Sequence, residues 1–165
     1  MEEIEVPTEH LHEEINERAK EGKRWFLYLA ISTAFMAVLA AIAGLMAGHY
    51  SNEALIEQIK ASDQWGYYQA KGIKGEIAAI SPLKDNAKIE KYKTEQQSIK
   101  EIAENFQKRS EVYLDKHAIL ARAVTLFQIA IAISAISILT GKRMLWYFAI
   151  LLSLIGVGFF ISSSL

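Results

Sequence analysis

Hydrophobic and polar positions fall in long blocks along this chain rather than in short alternations. Three uncharged runs dominate: Trp25 to Gly48, Ala123 to Gly141 and Met144 to Leu165. Each reaches the roughly 18 to 20 residues that a helix needs to cross about 30 Å of hydrocarbon. A soluble helix is rarely apolar on every face for so long. The pattern predicts an all-α integral membrane protein with three transmembrane helices, drawn at residues 25–48, 118–140 and 144–165 and with a turn at 141–143. The first run is 24 residues, well beyond the roughly 7 to 15 of a secretory signal core, so it reads as a retained anchor.

Between the first two spans lies a polar segment, residues 49–117, with one strong breaker at Ser81-Pro82. Proline cannot continue a helix and disfavours helical geometry in the residue before it. On both sides the steps alternate between three and four. Before the turn the series runs through Ile56, Ile59, Asp63, Gly66, Ala70, Ile73, Ile77 and Ile80. After it come Ile89, Tyr92, Gln96, Ile99, Ala103, Phe106, Ser110, Tyr113 and His117. This predicts an antiparallel coiled-coil hairpin with its turn at 81–85. Arms of about 28 to 32 residues would extend roughly 40 to 50 Å. Folding at Leu83 pairs positions whose numbers sum to about 166. Ile77 then faces Ile89, Ile59 faces Phe106 and His49 faces His117. Asp63, Gly66 and Ala70 form the weakest layer of that seam.

Small residues are concentrated on one face of the first span, where Ala37, Ala41, Gly44 and Gly48 recur and the last two form a G-x-x-x-G. In lipid such a groove lets helix backbones approach and pack by dispersion. A tight helix contact is expected there, with either another span or a second copy of the chain. Whether this span continues unbroken into the hairpin is open, because Gly48 and Ser51-Asn52 could bend it or cap a new helix. Three membrane-edge candidates remain. His49 and His117 would meet at the outer boundary, although two ligands make a poor metal site. Arg122, one turn inside the second span, is placed to extend its charge to the interface.

Charge adds topology. The formal net charge is −1, which gives no electrostatic footprint for nucleic acid. There are no cysteines, so disulfides, thiolate metal sites and thiol catalysis are excluded. Lys20, Lys23 and Arg24 precede the first span, Lys142 and Arg143 fill the turn, and no base follows. The positive-inside rule then sets the N-terminus in the cytoplasm and the hairpin and C-terminus outside it, in a cell (inner) membrane. Residues 1–24 read as a cytoplasmic amphipathic segment, with Thr8 as N-cap and a thin stripe of Leu11, Ile15 and Ala19. Its eight acids against four bases make it a poor binder of anionic lipid. His10 and His12 fall on different sides of such a helix.

Candidate chemistry is concentrated in residues 62–74, S-D-Q-W-G-Y-Y-Q-A-K-G-I-K. Asp63, Gln64, Trp65, Tyr67, Tyr68, Lys71 and Lys74 compose an aromatic and charged cluster on a helix. Tryptophan and tyrosine are enriched at the centres of protein contacts, which favours an interaction surface over a small-molecule pocket. The bland alternative is an aromatic flank that only covers the seam. No nucleophile triad, phosphate loop or H-E-x-x-H occurs, so neither an enzyme nor a resident cofactor or metal is expected. The run from Asp63 to Lys74, the alanine-rich first span and the E-E-I-E-V-P start resemble a family of small bacterial three-span membrane proteins known only as a domain of unknown function. Gly66 and Gly72 stand where that pattern suggests alanine and serine. The resemblance implies three spans with a helical middle and supplies no activity. The functional expectation is a non-enzymatic scaffold or accessory subunit, in contact with membrane lipid and self-associating, whose hairpin meets another copy or an unidentified protein partner. The alternative is a small channel or transporter subunit built on the first-span groove and Arg122.

Overall fold

The computed structural model describes residues 8–82 and 85–163; the side chains of residues 8–21 and 23 lie outside that description. Three helices follow in order: α1 at Thr8–Ile80 with 73 residues, α2 at Asn86–Thr140 with 55 and α3 at Arg143–Ser162 with 20. All three are long and apolar enough to cross a membrane. No strand occurs among the described residues. The side chains of His10, His12, Leu11, Ile15 and Ala19 lie outside the described residues.

Local chemistry sets where the helices end. No proline lies between Thr8 and Ile80, so no backbone donor is lost, and α1 runs unbroken past Gly48 and Ser51-Asn52. It stops two residues before Pro82. At the start of α2 the Lys88 N–H donates to Asp85 Oδ1 at 3.1 Å, an N-cap bond. At its far end Gly141 takes φ +65°, the left-handed conformation that terminates helices and that glycine adopts without steric cost. The Ser137 hydroxyl donates to the Lys142 carbonyl at 2.9 Å, holding the chain as it turns into α3.

The chain divides into two compact units, one of residues up to Ala43 with those from Arg122 onward, the other of Gly44–Ala121. The first holds the apolar portions of all three helices. Met36, Ala130 and Ala149 are buried together, flanked by Ile131, Ile133, Ile150 and Leu152. Phe127 is fully buried, and its ring stands where a Cβ on Gly156 would come within 3.1 Å of it. Small residues again permit close approach. The Trp146 indole donates to the Ser32 hydroxyl at 3.1 Å, and the Ser32 and Thr33 hydroxyls both donate to the Leu29 carbonyl. The Arg143 guanidinium lies 5.7 Å from the Trp25 ring centroid.

In the second unit α1 and α2 pair in opposite directions. Contacts join Ala47 to His117, Ala54 to Ser110, Tyr68 to Gln96 and Lys71 to Glu95. Each pair sums to 164 or 166, close to the value obtained by folding at Leu83. On α2 the buried positions Ile99, Ala103 and Ser110 belong to the expected series. On α1 the expected face is corrected. Ile56, Ile59, Asp63, Gly66, Ala70, Ile73, Ile77 and Ile80 are all exposed. The face turned to α2 instead carries Ala47, Ala54, Glu57 and Ala61, all buried. The reason is steric. Alanines spaced seven apart let the backbones come close, and the bulk is supplied by Ile99 and Phe106 from the opposite helix. The isoleucines are the more hydrophobic stripe but not the better fitting one.

Candidate functional site

Residues 62–74 lie on α1 within the second unit and divide between its two faces. Gln64, Trp65, Tyr68 and Lys71 are half-buried, whereas Asp63, Tyr67 and Lys74 are exposed. Trp65 and Tyr68 meet edge to face, with centroids 5.5 Å apart and planes at 76°, a favoured geometry for aromatic pairs. One turn on, the Lys71 side chain is only 14% exposed. Its ammonium donates to Glu95 of α2 and lies over two rings, 5.2 Å from Tyr67 and 5.5 Å from Tyr92. The Glu95 carboxylate, then the Tyr67 hydroxyl, raise the lysine pKa above its ordinary value. Lys71, with smaller help from Lys91 and Lys74, holds the Glu95 carboxyl below the usual range. Lys71 is therefore a cationic clasp between helices rather than a free surface charge.

Glycine completes the clasp. Gln96 reaches across to donate to the Tyr68 carbonyl at 3.3 Å. A Cβ on Gly72 would sit 2.7 Å from that same amide nitrogen, so this carboxamide can lie over the α1 backbone only because position 72 has no side chain. An open groove of about 610 Å³ runs beside the clasp, bordered by Gly72, Gly75, Glu90, Tyr92 and Gln96. Gly66 is different, with nothing within 4 Å of an added Cβ.

A second ionic centre escaped the sequence reading. Glu57 is 1% exposed, with the Lys60 ammonium at 2.8 Å and Arg109 Nε at 3.3 Å. The Arg109 approach is an ion pair without hydrogen-bond geometry, since Glu57 Oε2 accepts no hydrogen bond. A buried carboxylate is tolerated when cations compensate it. Periodicity gave no signal for it, because the isoleucine series leaves Glu57 off the expected seam.

The other predicted residues are dispersed. Ala37, Ala41 and Gly48 are exposed and Gly44 is intermediate, so this face of α1 is not the one packed in the first unit, where Leu29, Met36 and Ala43 are buried. His117 Nδ1 bonds the Ala47 carbonyl at 2.8 Å; a carbonyl only accepts, so Nδ1 carries the proton. His49 is exposed and leans against Tyr50, with centroids 5.5 Å apart. Tyr50 in turn stacks on Tyr113 at 6.1 Å. Arg122 is exposed. Among the described residues no three histidine or carboxylate groups converge as a metal site would require.

These features define an all-helical chain with three helices long and apolar enough to span a membrane, consistent with a multi-pass membrane protein. The chain belongs to the family of the domain of unknown function DUF4337, whose model matches residues 25–165. No curated protein and no solved structure matches it.

Proposed function

We propose that this protein is a non-enzymatic membrane scaffold or accessory subunit. Its second unit acts as a coiled-coil hairpin held outside the cytoplasm for contact with protein. The observation that supports this reading most strongly is the division of labour on α1. Within the 62–74 stretch Lys71 and the Tyr68 carbonyl bond across to Glu95 and Gln96 of α2, while isoleucines spaced along the opposite face of α1 remain exposed. A large exposed apolar stripe on a helix with a satisfied inner face is characteristic of an interaction surface. Lys20, Lys23 and Arg24, just before the first apolar run, and the bases of the 141–143 turn support a cytoplasmic N-terminus in an inner membrane. The test is native mass spectrometry of the full chain extracted in mild detergent. A mass above that of one chain, from further copies or another protein, is expected; a single chain carrying only lipid would overturn the reading.

A further inference from the structure

We infer that the occupant of the exposed isoleucine face is a second copy of this chain, joined through a parallel, in-register seam between the α1 arms. The inference rests on the membrane reading proposed above and names the partner. Ile56, Ile59, Ile73, Ile77 and Ile80 are between 44% and 82% exposed, on a part of α1 that carries Lys60, Lys71, Lys74 and Glu76 and so stands outside the hydrocarbon. Their positions keep the alternating steps of three and four that bring side chains to one coiled-coil face. Helices that only lie on a surface show the 3.6-residue period instead, with a wider apolar arc.

Orientation and charge select the copy and its direction. Topology is written in the sequence, so every copy inserts the same way and its α1 arm leaves the bilayer in the same direction at the same height. Parallel arms then meet like on like, Ile59 with Ile59 and Ile73 with Ile73. The residues flanking such a seam pair five positions apart between copies. Lys60 meets Leu55, Lys74 meets Gln69 and Glu76 meets Ser81, so no flanking charge faces its like. Reversing one arm would set Lys60 against Lys74 instead. Asp63 is the one charged residue on the stripe, and its meeting with its own copy weakens the seam while penalising other registers.

The absence of cysteine from the natural chain makes the test direct. Ile59→Cys, Ile73→Cys and, as a control on the outer face of α2, Gln97→Cys are made singly in the full chain and oxidised in native membranes. Disulfide-linked dimers are expected at 59 and 73, at least tenfold faster than at 97. The double variant Ile59→Glu, Ile77→Glu should return the native mass to one copy, with helical content unchanged because both side chains are exposed. Asp63→Asn should retain the larger mass at lower protein concentration than the natural chain does. Equal cross-linking at all three positions, or self-association insensitive to the two glutamates, overturns the inference. So does a complex containing only a different protein, and in that case the broader contact reading survives.

Discussion

At the residue scale, the space around individual side chains makes the sharpest distinctions. Gly156 and Gly158 are both in α3 and look alike in sequence. An alanine at 156 would press on three atoms of the Phe127 ring at 3.1 to 3.3 Å, whereas at 158 nothing lies within 4 Å. Because Phe127 is fully buried, it has little room to yield. Gly156→Ala is expected to destabilise by about 1–3 kcal/mol through overpacking. Gly158→Ala should be neutral or slightly stabilising, since alanine favours the helix. Thermal unfolding of both variants in one detergent checks this, and equal midpoints would contradict the packing described for the first unit.

The Lys71–Glu95 clasp makes a second prediction at this scale, in which the sign follows from the two shifts. Glu95 titrates lower when folded, so its contribution is present above the ordinary carboxylate value near 4.5 and is lost as pH falls through its folded value. Lys71 titrates higher when folded, so its contribution is present below the ordinary lysine value near 10.5 and is lost as pH rises through its folded value. Lys71→Met should therefore lower the midpoint by a few degrees at neutral pH. That difference from the natural chain should shrink as the pH falls below about 4. A difference that stays constant from acid to neutral pH would mean that Lys71 acts through its alkyl stem and the tyrosine rings rather than through the ion pair.

At the scale of elements, the hydrophobic pattern was enough to give three helices, because a run of uncharged residues has few alternatives in a chain this size. The end of α1 beside Ser81-Pro82 followed from proline chemistry, whereas the Asp85 cap and the left-handed Gly141 are local bonds that periodicity does not register. On α2 one face carries the large residues, so pattern and packing agree. On α1 two heptad series run side by side, one of isoleucine and one of alanine, and hydrophobicity alone selects the wrong one. Glu57 compounds the difficulty, since a buried carboxylate is intelligible only once Arg109 is known to approach from the other helix. In the conspicuous 62–74 stretch, Lys71 and the Tyr68 carbonyl join α1 to α2, and Trp65 packs on Tyr68 within α1. The exposed members of the stretch, Asp63, Tyr67 and Lys74, flank or lie on the isoleucine face.

At the scale of the whole molecule, the face that α1 turns to α2 decides which of its surfaces is left open. If alanines face α2, the isoleucines are left for another chain; if the isoleucines face α2, no such surface exists. One measurement separates the two directly, namely the rate of intrachain disulfide formation in two double-cysteine variants of the full chain. Ala54→Cys with Ser110→Cys tests the observed contact, where the Ser110 hydroxyl reaches the Ala54 carbonyl at 2.8 Å. Ile56→Cys with Ser110→Cys tests the isoleucine face in the register that sums to 166. The structure predicts rapid closure of the 54/110 pair and little closure of the 56/110 pair. Preferential closure of 56/110 would contradict both the packing of the second unit and the contact surface inferred from it.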